Sequence, residues 1–170
     1  MYQEQFEISS HDIDPDGIVR PSCLLRYMQE SANHQMRDEG PSYMELFDEG
    51  KAFILSRMVV HTYAPLHQYE QIDTFNWPSE GKGATFYRCH RIERDGKVVA
   101  EALGYWALVD IHTHKLYRVG EVTFPNYTQG ELKELDGVRF SSSMSILSER
   151  TASRSTSLPA STPSMPYCIP

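Results

Sequence analysis

Apolar and polar residues repeat with periods of two or nearly four along the first 120 residues, and these periods predict strands and helices. An alternating strand begins the chain at residues 2–8. An apolar stripe with one residue in every four, including Leu24 and Met28, then predicts a long helix. Pro21 and Gly40 are typical of the start and the end of such a helix, so we place it between them.

The elements after this helix are mostly strands. Ser42 and Glu45 have the spacing of a capping box and predict a short helix that stops at Gly50. Asp95-Gly96 is a strong hairpin signal. β-branched and aromatic residues predict antiparallel strands at residues 52–63, 69–77, 84–94, 97–111 and 116–119, the fourth of them central. Because one long helix with an apolar stripe must be covered by this sheet, the predicted fold class is α+β.

The composition changes near residue 140. Residues 141–170 contain many serines and prolines, Glu149 as their one acidic residue, and no helical or strand period. This composition is typical of a flexible tail. The alternative is that the sequence leaves its natural reading frame near Ser141, and the amino-acid sequence leaves both interpretations open.

Size and charge exclude several classes of protein. A chain of 170 residues is long enough for one domain with its own core. The net charge of −7 and the lack of a basic cluster argue against nucleic acid or an anionic membrane as the main partner. No apolar run approaches the ~20 residues of a membrane span, and no secretory signal begins the chain. Three cysteines without a C-x-x-C pair indicate a reducing, cytoplasmic environment.

Two candidate metal sites lack ligands. Residues 12–17, with the sequence D-I-D-P-D-G, match the first half of a calcium loop, but Cys23 stands where the loop needs a glutamate. An Asp-rich turn is therefore the favoured interpretation. His112 and His114 have no evident third ligand. Motifs for phosphate loops and nucleophilic serines are also absent from the sequence, so we expect neither a metal nor a cofactor.

Asp14 is the remaining candidate for a catalytic group. It lies in a turn just before the predicted helix, where a carboxylate sits beside unpaired backbone N–H groups. Such N–H groups hold an oxyanion while the acid activates water. The alternative is that Asp14 only shapes the turn or caps the helix, and the spacing favours this alternative.

Several segments together resemble hotdog-fold acyl-thioester hydrolases, and they are most similar to the N-terminal half of acyl-acyl carrier protein (acyl-ACP) thioesterases. The resemblance spans about residues 1–140 and depends on the order and spacing of the segments. It implies a hotdog fold, in which a curved antiparallel sheet wraps one long central helix. The segments are Phe6–Ile8, Asp12–Gly17, Leu24–His34, Leu55–Met58, Thr74–Pro78, Phe86–Arg88, Trp106–Asp110 and Thr113–Leu116.

The resemblance also implies how the chain is organised. In this family two hotdog repeats are fused; the first supplies the acyl pocket, and the second carries an Asp-x-Asn-x-His motif and a later acidic or Cys residue. It thus implies a hotdog domain at residues 1–137. Residues 138–170 are then a truncated or out-of-frame start of the second repeat, with Val138–Phe140 as its first strand, and their composition predicts disorder. The sequence contains no Asn-x-His.

The implied activity is hydrolysis of fatty acyl-ACP thioesters to free fatty acid, which ends chain elongation in fatty acid biosynthesis, with this chain incomplete. The expected acyl-channel residues are Leu24, Met28, Leu55, Met58 and Phe75, and the alternative is that they are ordinary core.

Two other functions stay open. A non-catalytic acyl-binding module would pair with a second copy across its open sheet edge. A weaker resemblance to single-domain coenzyme A thioesterases implies instead that Asp14, in its D-P-x-G-I-V turn, is the catalytic carboxylate. If a carrier protein docks, a basic patch of Arg88, Arg91 and Arg94 is the candidate surface, and a solvated strand face is the alternative.

Overall fold

A computed structural model of the chain describes residues 1–124, 126–133 and 135. Within these residues, five antiparallel strands form one sheet that packs against a long helix, which confirms the α+β prediction. A single 3₁₀ turn at Ser10–Asp12 follows the first strand. The elements are β1 (Tyr2–Glu7), α1 (Pro21–Glu39), α2 (Tyr43–Asp48), β2 (Lys51–Thr62), β3 (Gln71–Lys82), β4 (Thr85–Arg94) and β5 (Lys97–Asp110).

Helix α1 has the predicted boundaries. Pro21 opens it, because the first helical position needs no N–H donor and accepts the fixed φ of proline. Gly40 ends it with φ of 57°, and its N–H donates to the Met36 carbonyl at 2.8 Å. The buried stripe is apolar in its first half and includes Ser31 and Gln35 in its second half. The helix therefore packs on an apolar core at one end and on polar groups at the other.

The strands lie in the order β1-β3-β4-β5-β2, so β5 is an interior strand as predicted. Along β4, the side chains of Arg88 and Ile92 lie on the face of the sheet that packs against α1, whereas Cys89 packs on the opposite face. A bulge between Leu55 and Arg57 interrupts the register of β2 with β5. Strands β1 and β2 form the two edges, and pairing of a second copy across an edge stays a prediction.

Each face of the sheet has its own core. Between α1 and the sheet, Met28 packs with Ile72 and Ile92, which are fully buried. On the opposite face, the core is formed around Trp77, and the segment that follows β5 covers this core. The Trp77 Nε1–H donates to the Glu131 carbonyl at 2.8 Å, which ties this segment to β3.

Two predicted strands differ from the structure. The prediction of a strand at residues 116–119 is wrong: Leu116 makes only an isolated bridge to Val109, and Val119 to Val122. Strand β3 continues through Pro78 to Lys82 instead of ending at residue 77. Pro78 has no N–H to donate, but β1 needs no donor there, because the pairing of β1 with β3 ends at Asn76.

The predictions for residues 138–170, including a strand at Val138–Phe140, lie outside the described residues. The predicted domain boundary at residue 137 therefore stays a prediction. Among the helices of the described residues, none is both long and apolar enough to cross a membrane.

Candidate functional site

A cavity of about 570 Å³ lies between the second half of α1 and the adjoining sheet. Its size falls in the range of small-molecule sites, roughly 300–1,000 Å³. Aromatic rings form much of its wall: Phe53, Phe86, Trp106, Phe124 and Tyr127. The ring centroids of Phe53 and Phe86 are 5.5 Å apart, and those of Phe53 and Phe124 are 5.7 Å apart. This wall suits an apolar ligand.

A glycine in β5 gives room to one of these rings. Gly104 and Trp106 are two residues apart on the strand, so both face the helix side. A Cβ atom on Gly104 would lie 2.7 Å from the Trp106 Nε1, closer than real side chains allow. The absence of a side chain at Gly104 therefore lets the indole lie against the sheet and form part of the wall.

A buried polar cluster adjoins the apolar wall; we define it as Ser31, Gln35, Asn76 and Arg88. The Arg88 Nη1 donates to the Gln35 Oε1 at 2.8 Å and to the Asn76 Oδ1 at 2.7 Å. The Asn76 Nδ2 donates to the Ser31 Oγ at 2.8 Å. Arg88 also lines the cavity although it is only 8% exposed. The cluster thus places a guanidinium in an otherwise largely apolar wall.

Burial sets the electrostatics of this cluster. It lowers the pKa of Arg88 to about 10, so the guanidinium stays protonated at neutral pH. None of the ion pairs between described residues includes Arg88. The Gln35 side chain lies between Arg88 and Glu39, and its Nε2 donates to the Glu39 Oε2 at 2.8 Å. Burial also raises the pKa of Tyr127 to about 12, which keeps that phenol neutral.

His90 lies opposite Asn76 in the strand register and is 2% exposed. Burial, with a smaller contribution from the charge of Arg88, lowers the pKa of His90 to about 3. The imidazole is therefore neutral at physiological pH. Neither of its ring nitrogens has a hydrogen-bond partner among the described residues.

A second cavity, an open groove of about 510 Å³, lies at the start of α1 and is lined in part by Asp12, Cys23 and Tyr27. The Tyr27 hydroxyl donates to the Asp12 Oδ2 at 2.6 Å, and Arg26 pairs with the Oδ1. Burial raises the pKa of Asp12, but hydrogen bonds from Tyr27 and Cys23 and the Arg26 charge outweigh this and lower it.

Asp14 shapes the turn beside this groove. Its Oδ1 accepts backbone N–H groups of Asp16 at 2.9 Å and Ile18 at 3.0 Å. It lines neither of the two cavities. Within the described residues, no three His, Cys, Asp or Glu side chains are placed to hold a metal ion.

None of the five residues predicted for the acyl channel lines the larger cavity. Leu24 and Met28 are in the helix–sheet core, and Met58 packs against them. Leu55 is half-buried and pairs in register with Trp106. Phe75 lies on the opposite face of the sheet, beside Trp77. The structure therefore does not bring the five together, and their role stays a prediction.

The predicted basic patch is wrong for Arg88, which points into the interior. Arg91 pairs with Glu93 at 2.8 Å, and Arg94 pairs with Glu70 at 2.9 Å. Arg88 therefore contributes no charge to a surface patch, and Arg91 and Arg94 each have a carboxylate partner.

Most residues of the cavity wall carry no sequence signal for a site role. Phe86 and Arg88 lie within one of the segments similar to the family, and strand alternation places both on one face. This alternation was the available signal. Phe124 and Tyr127 lie in an irregular segment whose sequence has no period, so no comparable signal existed for them.

A protein-family comparison matches residues 1–127 to the acyl-ACP thioesterase N-terminal domain. A search of the curated proteins gives no significant match.

Solved structures share the fold. An acyl-ACP thioesterase from Bacteroides thetaiotaomicron superimposes with a TM-score of 0.72 at 19% identity, over 81% of this chain and 57% of that one. YbaW, a probable thioesterase from Escherichia coli, gives 0.64 at 18% identity, over 69% and 90%. A hypothetical protein from Aquifex aeolicus gives 0.65 at 20% identity, over 70% and 93%. The predicted hotdog fold is confirmed.

Proposed function

Because the chain belongs to the acyl-ACP thioesterase family, with the N-terminal domain of that family at residues 1–127, we propose that it binds the acyl chain of fatty acyl-ACP thioesters. The single observation that supports this function most is the cavity of about 570 Å³ with its aromatic wall. An apolar cavity of this size accepts an aliphatic chain and removes it from water.

The reaction of the family is hydrolysis of a thioester. Water adds to the carbonyl carbon, the C–S bond breaks, and the thiol leaves with a proton while the free acid forms. A positioned base and N–H donors assist these steps. We assign to residues 1–127, which match the N-terminal domain of this family, the binding of the acyl group in cytoplasmic fatty acid biosynthesis.

The test is binding of S-lauroyl-pantetheine and lauroyl-ACP to the 170-residue chain, measured by calorimetry. Replacing Phe53 with Ala removes part of the wall, and we expect affinity to fall roughly tenfold, which is about 1.4 kcal/mol. The matched control is Ile54→Ala, because Ile54 is the next residue on β2 and is 52% exposed. A folded chain that binds neither acyl thioester, or binds equally well after Phe53→Ala, would overturn the proposal.

A second function is hydrolysis of acyl-coenzyme A with Asp14 as the base. The hydrogen bonds of the Asp14 carboxylate favour this function. Its Oδ1 accepts from the backbone N–H groups of Asp16 and Ile18, whereas its Oδ2 receives no hydrogen bond from the described residues. Release of thiol from lauroyl-coenzyme A is the assay, with Asp14→Asn as the variant and the exposed Asp16→Asn as its control. Turnover lost only in Asp14→Asn would support this function, and no turnover by the folded chain would reject it.

A further inference from the structure

Arg88 is a buried cation that the described residues only partly satisfy. Both of its hydrogen bonds leave from the Nη1, towards Gln35 and Asn76. The remaining N–H groups, on the Nε and the Nη2, receive no acceptor from the described part of the chain. An isolated charge in a protein interior is unfavourable unless an opposite charge or further hydrogen bonds accompany it. The cavity that Arg88 lines is where such a group can enter.

The other charges around Arg88 leave this role open. The charge of Glu39 raises the pKa of Arg88 a little, but Glu39 makes no ion pair with Arg88 among the described residues. Its carboxylate instead accepts from the Gln35 Nε2 at 2.8 Å, the Thr128 backbone N–H at 2.9 Å and the Thr128 hydroxyl at 3.1 Å. Among the described residues, Glu80 is the only other charged residue that lines the cavity, and it is exposed. An anion is therefore repelled at the exposed side of the cavity and attracted at the buried side.

The chemistry of the walls defines the ligand. A guanidinium has a planar fork that matches a carboxylate, with two parallel N–H···O bonds. The aromatic wall beside it suits methylene groups, and no described residue of this wall provides a second cation. The Trp106 Nε1, another buried donor without a partner among the described residues, belongs to a residue of the same wall. An aliphatic chain that ends in a carboxylate satisfies both parts of the cavity.

We propose that Arg88 binds the carboxylate of an aliphatic ligand inside this cavity. The proposal rests on the proposed function, in which the same cavity holds the acyl chain. Two sources supply this chemistry: a free fatty acid, which is the product of thioester hydrolysis, or an acyl thioester that carries a second carboxylate at its far end.

Three ligands of equal chain length separate these sources. Laurate has the carboxylate of a free acid, S-(11-carboxyundecanoyl)-pantetheine has a distal carboxylate, and S-lauroyl-pantetheine has none. The variants are Arg88→Met, which removes the cation, and Asn76→Asp, which gives Arg88 an internal carboxylate that competes with the ligand. Arg91→Met is the control, because Arg91 lies on the same strand, pairs with Glu93 and does not line the cavity.

We expect the affinity of at least one carboxylate ligand to fall about 30-fold in both variants, which is about 2 kcal/mol. Affinity for S-lauroyl-pantetheine should stay within about threefold in every variant, a change of about 0.6 kcal/mol. Loss for laurate alone identifies the free acid as the source, and loss for the carboxyundecanoyl thioester identifies the distal group. Equal affinities for both carboxylate ligands in the wild type, Arg88→Met and Asn76→Asp would overturn the inference.

Laurate with a ¹³C-labelled carboxyl group provides a test on the wild-type chain that needs no variant to fold. Beside a guanidinium the bound carboxylate must keep its charge to a lower pH than free laurate. A bound carboxyl group that titrates like free laurate, together with an affinity for the carboxyundecanoyl thioester that is unchanged in Arg88→Met, would contradict the inference. If S-lauroyl-pantetheine does not bind while laurate binds through Arg88, the proposed function fails and the carboxylate site stands.

Discussion

Asn76 connects the helix to the sheet inside the buried polar cluster, and its replacement with Ala tests how much that cluster stabilises the fold. Asn76 is fully buried, donates to the Ser31 Oγ at 2.8 Å and accepts from the Arg88 Nη1 at 2.7 Å. Asn76→Ala removes both bonds and leaves Ser31 and Arg88 each short of one partner. Polar groups that stay buried without a partner keep their full desolvation penalty.

The size of the effect follows from the two bonds. A hydrogen bond to a charged group contributes about 1.5–3 kcal/mol and a neutral one about 0.5–1.5 kcal/mol, so the free energy of unfolding should fall by about 3 kcal/mol. For a chain of this length that loss corresponds to a decrease in Tm of roughly 6–12 °C. Urea unfolding followed by circular dichroism measures it directly.

Gln71→Ala is the control for this experiment. Gln71 begins the same strand, is exposed, and donates from its Nε2 to the Glu7 Oε2 at 2.7 Å. A surface change of this kind stays within about 0.5 kcal/mol. If Asn76→Ala also stays within about 0.5 kcal/mol of the wild type, the buried cluster does not stabilise the fold and the reasoning fails.

Two further perturbations probe the same region. His90 has a pKa of about 3 in the folded chain and about 6.5 in the unfolded chain. Below pH 6.5 the unfolded chain therefore binds a proton at His90 that the folded chain does not bind. The free energy of unfolding then falls by about 1.4 kcal/mol for each pH unit. His90→Leu should flatten this dependence between pH 6.5 and 5 in urea titrations, whereas the control Gln71→Ala, which removes no titratable group, should not; an unchanged slope in His90→Leu would contradict the assignment. Gly104→Ala places a Cβ atom 2.7 Å from the Trp106 Nε1, and overpacking of this kind costs roughly 1–3 kcal/mol; unaltered stability and unaltered binding of S-lauroyl-pantetheine would show that the indole has room to move.

The helices of this fold were predictable because local signals mark them. Pro21 and Gly40 mark the ends of α1, and Ser42 with Glu45 forms the predicted capping box before α2. Strand β3 runs past its predicted end at residue 77 and includes Pro78, since whether a proline is tolerated in a strand depends on which strand lies beside it. The period of a strand indicates which face a residue occupies but not its neighbours across the sheet.

The candidate site was less predictable for the same reason. A charged residue such as Arg88 in a strand is ordinarily exposed, and only contacts with Gln35, 53 residues away, and Asn76 show that it is buried. The stripe of Leu24 and Met28 indicated the apolar half of α1 correctly, yet the cavity lies beside the other half. Its position depends on where the sheet and helix separate, which no local pattern records.

The two tryptophans of the chain lie on opposite faces of the sheet, and this gives the protein two built-in optical reporters. Trp106 lines the cavity, so its fluorescence responds to a ligand that enters there. Trp77 is tied through its Nε1–H to the Glu131 carbonyl, so its emission responds to release of the segment that covers the outer face. Replacing one indole with Phe leaves the other to report alone. Occupation of the cavity and detachment of the covering segment are therefore separable by fluorescence, without attaching a dye.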